Sequence, residues 1–301
     1  MDALAGTSAD VLLPTTDAAL LAVSRFRARL PAALLDWLPS EETVSRCLQK
    51  AALLEEAAGV GFAVLETTQD REHSFGFPVV VKPAQSIVGG RREAARVVSN
   101  AAQLDAALAA FGTPVLIQRF YEGARVLSLG GVAWNGRLVA VAASRWARRW
   151  PPLDGAASFA ETVPPPPQVV ERAEALVAAL GWQGIFELEL LELGEQTFAP
   201  VDFNPRPFGW LTLALRAGAN LPAVWADCVC GLAPPRVVAR PRIRYRWEDG
   251  DAKHLLWQLR RGRLRAAAAV LAPRRRVAHA WFEARDPRPL GAELRRLTRR
   301  G

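Results

Sequence analysis

The chain switches repeatedly between two-residue alternation and helical spacing of its apolar positions. Residues 126–132 and 136–143 alternate about Asn135-Gly136, a pair suited to a tight turn, and predict a hairpin. Residues 186–193 and 197–203 predict a second hairpin turning at Gly194. Shorter strands are expected at 11–14, 59–65, 77–83 and 115–118. Helical spacing covers 18–30, 40–58, 100–111, 168–180, 211–218 and 223–230. Ser40, with Glu41 and Glu42 behind it, is placed to cap the second of these helices, and Asn100 the third. Four prolines at 164–167 separate the hairpins from the helix that follows. Near the C-terminus, Leu255, Leu256, Leu259 and Leu264 recur near helical spacing within 252–269 and predict a stripe packed on the rest of the protein. Strands and helices mix without the strict alternation of a doubly wound sheet, and no repeat is evident. The pattern therefore predicts an α+β fold.

Composition narrows this picture. Of 301 residues, 50% are hydrophobic, enough for a sizeable core, yet no apolar run is long enough to span a membrane. The first 16 residues lack a basic region followed by an apolar stretch, so no secretory signal is expected. Cys47, Cys228 and Cys230 are too few for a disulfide framework, and the pair at 228 and 230 lacks a second ligand pair for structural zinc. A cytoplasmic protein with reduced thiols is the expectation. The net charge is +8, and residues 231–301 hold 19 Lys and Arg against 6 Asp and Glu. A segment this basic can bind polyanions, but Tyr245, Trp247, Trp257, Trp281 and Phe282 are more than a disordered arm would carry.

The candidate chemistry lies in the second hairpin. Along a strand, Asp202, Asn204 and Arg206 share a face, as do Glu187 and Glu189 on the partner strand. Carboxylates and an amide oxygen on one patch are hard ligands suited to Mg²⁺ that also binds phosphate oxygens, and Arg206 complements phosphate charge. Apolar neighbours Phe186, Leu188, Val201 and Phe203 set the patch into the domain, where clustered carboxylates need a partner. His73, His254 and His279 sit in no Ser or Cys triad pattern.

Glu187 followed by Asp202-Phe203-Asn204-Pro205-Arg206 resembles the magnesium-binding hairpin of the ATP-grasp superfamily. The resemblance covers residues 45–235. It implies two α+β subdomains clasping ATP, with Glu187, Asp202 and Asn204 on Mg²⁺ and Lys82, at the end of the 77–83 strand, on a phosphate of ATP. Lys50 matches the earlier nucleotide lysine. Residues 115–123, Val-Leu-Ile-Gln-Arg-Phe-Tyr-Glu-Gly, resemble the hinge that cradles adenine, which assigns Gln118, Arg119, Tyr121 and Glu122 to the nucleotide. Residues 84–92, with Gly89 and Gly90, could close over the triphosphate. The runs Arg145-Trp-Ala-Arg-Arg-Trp-Pro-Pro, Asn204-Pro-Arg-Pro-Phe-Gly-Trp and Ala217-Gly-Ala-Asn-Leu-Pro resemble the branch described as predicted ATP-dependent carboligases.

The implied activity is ligation of a carboxylate to an amine through an acyl phosphate, with Arg206 or Arg148 stabilising the reacting centre. Three positions depart from the family pattern. Gln118 stands where an acid often receives the adenine amino group, Arg125 where a ribose-binding acid often lies, with Glu122 as a substitute, and Gln49 where Asp usually precedes the early lysine. Related proteins carry a fuller domain before the grasp, so residues 1–44 read as its truncated remnant, with a partner protein as one replacement for the missing part. Residues 236–301 read as a basic C-terminal helical extension. Small-molecule carboxylates and amines are the expected partners, and neither a membrane nor nucleic acid is. The rival reading is a non-catalytic nucleotide-binding or nucleic-acid-associated module that uses the basic segment.

Overall fold

The computed structural model describes residues 11–35, 37–88, 91–283 and 285–298. Residues 1–10, part of the stretch read for a secretory signal, and Gly89 and Gly90 of the expected phosphate loop lie outside them. Residues 11–14 form irregular backbone and not the expected strand. Helix α1 (Asp17–Arg25) follows, capped by the Thr16 hydroxyl, which accepts from the Ala19 amide at 3.1 Å.

The long helix expected over 40–58 is two helices, α2 (Glu41–Leu48) and α3 (Lys50–Gly59). Ser40 caps the first as expected, accepting from the Thr43 amide at 3.1 Å. The break falls at Gln49, at φ −87° and ψ 117°. No Pro or Gly marks it. Tertiary hydrogen bonds replace the helical ones instead: the Lys50 amide donates to the Ala84 carbonyl at 3.0 Å, and the Ser86 amide to the Leu48 carbonyl at 3.1 Å. Lys50 therefore begins a helix beside the 84–86 backbone.

The smaller sheet is antiparallel, in the order β1 (Thr67–Thr68), β6 (Val115–Arg119), β2 (Val79–Pro83), β5 (Arg96–Val98). Between β2 and β5 runs a two-stranded ribbon, β3 (Ile87–Val88) with β4 (Arg91–Arg92). Helix α4 (Ala101–Phe111), capped by Asn100, packs Leu104, Ala107 and Phe111 onto Val79, Val81 and Ile117.

The larger sheet is built on two hairpins. Strands β7 (Arg125–Trp134) and β8 (Arg137–Trp150) turn through Asn135 and Gly136, both with positive φ, as the sequence predicts. Strand β9 (Ala156–Val163) extends the sheet, and helix α5 (Pro167–Ala179) starts on a proline, which suits a first turn. Strands β10 (Gly184–Gly194) and β11 (Thr197–Asn204) form the second predicted hairpin. Two short helices, α6 (Leu211–Arg216) and α7 (Leu221–Val229), come next.

The C-terminal segment supplies β12 (Val237–Val238), β13 (Arg244–Arg246), α8 (Glu248–Arg260), α9 (Leu264–Leu271), β14 (Val277–His279) and α10 (Arg288–Thr298). The sheet order is β11-β10-β7-β8-β9-β13-β14, with β12 also on β8. The basic segment is thus part of the larger sheet, and Tyr245 and Ala278 are buried in it.

Two core clusters flank this sheet. Phe186, Leu188 and Leu190 join the one containing α2, α3 and α5, while Ile185 joins the one containing α6 and α7. Strand alternation then turns Glu187 and Glu189 to the same side as Ile185.

Further expectations fail here, and residues 59–65 form no strand. Strand β8 runs on to Trp150, and β9 has no counterpart in the sequence pattern, because bulges between Trp146 and Arg148 and between Arg148 and Arg149 interrupt the period-two alternation. The leucine stripe on the C-terminal helices faces outward: Leu256 is 46%, Leu259 47% and Leu264 68% exposed. Helix α8 buries Asp251, His254 and Gln258 instead, because β8 offers it polar partners. No helix among the described residues is long and apolar enough to cross a membrane.

Candidate active site

A cleft of about 790 Å³ opens between the smaller sheet and the β10–β11 hairpin, with the end of β8 as a third wall. Its walls carry opposite charges from separate elements.

Lys82 enters from β2 and is 3% exposed. Its Nζ donates to Gln118 Oε1 at 3.2 Å and to the Val201 carbonyl at 3.1 Å. Burial, and then the Lys50 charge, pull its pKa down to about 7 against the opposing pull of Asp202 and Glu189. Lys50, at the start of α3, donates from Nζ to Asp202 Oδ1 at 2.6 Å and lies 3.5 Å from Ser86 Oγ. The two lysines and Asp202 thus meet in one patch, although Lys50 and Asp202 are 152 residues apart.

The facing wall is the hairpin. Glu187 pairs directly across from Asn204, and Glu189 from Asp202, before a bulge shifts the register. Glu187 Oε1 accepts from Ser128 Oγ at 2.8 Å and from the Trp210 indole at 2.5 Å, while Oε2 accepts from Asn204 Nδ2 at 3.0 Å. Asn204 Nδ2 also donates to Glu189 Oε1 at 3.2 Å. Asn204 Oδ1 accepts from Arg206 Nη2 at 3.0 Å, and Arg206 Nε donates to Asp17 Oδ1 of α1 at 2.5 Å.

Among the described residues, no group of three His, Cys, Asp or Glu side chains could hold a metal by itself. The donor set fits a different arrangement. Mg²⁺ bound with phosphate needs only one or two protein carboxylates, the remaining positions being water and phosphate oxygens. Glu187, Asp202 and Asn204 all line the cleft and supply hard oxygens of that kind.

The hinge residues divide. Arg119, Tyr121 and Glu122 line the cleft beside Gln118. Arg119 Nη1 donates to Glu66 Oε1 at 2.5 Å and its guanidinium lies 5.9 Å from the Tyr121 ring centre. Gln118, expected to receive the adenine amino group, has its carbonyl oxygen engaged by Lys82 and its amide donating to Thr67 Oγ1 at 2.9 Å. In this arrangement Gln118 bridges Lys82 and Thr67 at the wall of the cleft. Arg125 stands outside the cleft, paired with Glu192 at 2.8 Å.

Arg148 also departs from expectation. It makes two hydrogen bonds to Asp251, at 2.8 and 2.6 Å, lies 4.2 Å from the Phe159 ring centre, and does not line the cleft. The irregular pairing of β8 with β9 on either side of Arg148 turns its neighbour inward instead. Arg149 lines the cleft with Trp146 and Trp150, and burial lowers its pKa despite the charges of Glu189 and Asp154. The sequence holds Arg149 next to the expected residue, but a bulge leaves no trace in the alternation. The wall continues through the turn to Gly155, where a Cβ would overlap the Trp150 backbone.

No family model matches the sequence, and no curated protein is similar to it in sequence. Solved structures are similar in fold. The chain resembles the biotin carboxylase domain of 2-oxoglutarate carboxylase from Hydrogenobacter thermophilus, solved with MgADP, ADP and bicarbonate (TM-score 0.62, 14% identity, 81% of this chain and 59% of that one). It also resembles L-amino acid ligase from Bacillus licheniformis (TM-score 0.53, 14% identity, 71% and 54%). A third is N5-carboxyaminoimidazole ribonucleotide synthetase from Thermus thermophilus (TM-score 0.58, 16% identity, 79% and 65%). The fold is ATP-grasp. This chain spans between about half and two thirds of these three neighbours. The cleft between the two sheets is where the lysines and the hairpin carboxylates meet.

Proposed function

We propose that this chain is an ATP-dependent ligase that activates a carboxylate as an acyl phosphate and passes the acyl group to an amine. The observation that carries the reading is the convergence on one cleft of Lys50 and Lys82 from one side and Glu187, Asp202, Asn204 and Arg206 from the other. Structural cores do not ordinarily bury so many charges together, whereas phosphoryl transfer needs them, since catalysis there is positioning and charge stabilisation.

In the proposed reaction a carboxylate oxygen attacks the γ-phosphorus and the bond to the β-bridging oxygen breaks, releasing ADP. An amine nitrogen then attacks the carbonyl carbon, the carbon–phosphate oxygen bond breaks, and phosphate leaves while the amine proton passes to solvent. Lys82 and Lys50 hold the phosphates as point charges. Glu187, Asp202 and Asn204 would hold magnesium, which supplies charge neutralisation to the phosphates. Arg206, fixed by Asp17, and Arg149 face the centre where negative charge develops. Arg119, Tyr121 and Glu122 line the nucleotide end.

The reading is tested by screening carboxylate and amine pairs for ADP release, with mass spectrometry of the product. The expected result is an amide formed with one ADP per turnover. Binding of nucleic acid by a protein that neither binds Mg-ATP nor releases ADP with any pair would favour the rival module.

A further inference from the structure

We propose that helix α8 of the basic C-terminal segment is a positioning element of the cleft, with Asp251 and His254 holding the end of β8 so that Arg149 and Trp150 face the ligand. This rests on the reading of the cleft as a site for Mg-ATP and a carboxylate.

A surface helix ordinarily buries its apolar stripe. Helix α8 does the reverse. Asp251, His254 and Gln258 are 3%, 8% and 8% exposed, while Leu256 and Leu259 lie outward. The three polar residues share one face by helical spacing. Burying them is costly unless they are partnered, and Asp251 and His254 find partners on two consecutive residues of β8. Asp251 takes the Arg148 side chain by two bonds and pairs with Arg246 at 3.1 Å. His254 Nδ1 lies 3.1 Å from the Arg149 carbonyl, and Gln258 Nε2 2.9 Å from His254 Nε2. The carbonyl can only accept, so His254 donates to it from Nδ1.

These bonds act where β8 is least regular. Both bulges flank Arg148, and a bulge re-aims the side chains beside it. Pinning the Arg148 side chain and the Arg149 backbone fixes which side chain faces the cleft. Arg149 then projects inward toward Glu189 and Asp154. A well-packed apolar contact could stabilise the helix as well as these polar ones do. What the polar contacts add is a defined position for Arg149 and for the Trp150 wall.

The test uses the full chain with His254→Leu and His254→Asn, Asn retaining a donor near the Nδ1 position. His254→Leu is expected to raise the KM for the carboxylate by about 10- to 100-fold, taking the range known for residues that orient metal ligands through a hydrogen bond as the guide. Mg-ATP affinity should be unchanged, and hydrogen exchange at residues 144–157 should rise selectively. His254→Asn should restore both KM and exchange. The proposal is overturned if His254→Leu leaves KM and exchange unaltered, or if carboxylate and Mg-ATP affinity fall together with exchange rising throughout the protein. The exchange readout needs no substrate. If the wild type binds no Mg-ATP, the reading of the cleft fails, while selective exchange at 144–157 would still uphold the hold of α8 on β8.

Discussion

The β10–β11 hairpin and helix α8 both bury charged and polar side chains, and they do so for different ends. In the hairpin, Glu187, Asp202, Asn204 and Arg206 bond to one another and to their neighbours while still lining the cleft. In α8, Asp251, His254 and Gln258 direct their bonds to the protein and do not line it. Buried polarity alone therefore does not mark a site. The difference lies in whether the group still faces a space that a ligand can fill.

The largest expected effect that sharpens this contrast is on stability. Asp251→Ala leaves Arg148 and Arg246 without their buried partner, and unfolding by denaturant should show a loss of ~3–5 kcal/mol. A loss under about 0.5 kcal/mol, the size of an ordinary surface change, would mean that the pair is not part of the folded core.

Next come the hairpin carboxylates. Asp202→Asn and Glu187→Gln should each lower turnover by about 100-fold or more, as loss of a group acting on developing charge does. Wild-type ADP release with a working substrate pair would remove these residues from the metal assignment.

Lys82 gives a smaller, pH-dependent effect. Its folded pKa of about 7 lies below the ordinary lysine value of 10.5, so between those values the unfolded chain binds more protons and apo stability rises with pH. Phosphate binding favours the charged ammonium. Mg-ATP affinity should thus fall by up to about tenfold per pH unit above 7, with proton uptake in calorimetry. Lys82→Arg keeps its charge in this range and should abolish the dependence. A wild-type affinity that is flat from pH 7 to 9 would contradict the placement of Lys82 on phosphate.

The smallest effect belongs to the outward stripe. Leu259→Ser should change stability by less than about 0.5 kcal/mol, because the side chain is already half exposed. A larger loss would put the stripe back in the core.

How far the sequence could be read follows the same division. The two hairpins were legible because period-two alternation and Asn135-Gly136 are local signals. The faces holding Glu187 with Glu189 and Asp202 with Asn204 followed from strand geometry, and the register of the hairpin brings the two together. Three features were not legible. The break at Gln49 depends on hydrogen bonds to Ala84 and Ser86, which no local pattern announces. The exchange of Arg148 for Arg149 depends on bulges, which shift the phase of a strand without changing its composition. The inversion of α8 depends on what β8 presents to it, so the leucine spacing pointed to the wrong face. Each of these three came from a tertiary partner overriding a local preference.

The proposed chemistry is activation of a carboxylate in the cleft by transfer of phosphate to it. The most direct measurement uses a carboxylate labelled with ¹⁸O in both oxygens, a working amine and ATP, with mass spectrometry of the released phosphate. An acyl phosphate route carries one labelled oxygen into the phosphate for each amide formed, with ADP as the nucleotide product. Unlabelled phosphate, or AMP and pyrophosphate in place of ADP and phosphate, would contradict the account.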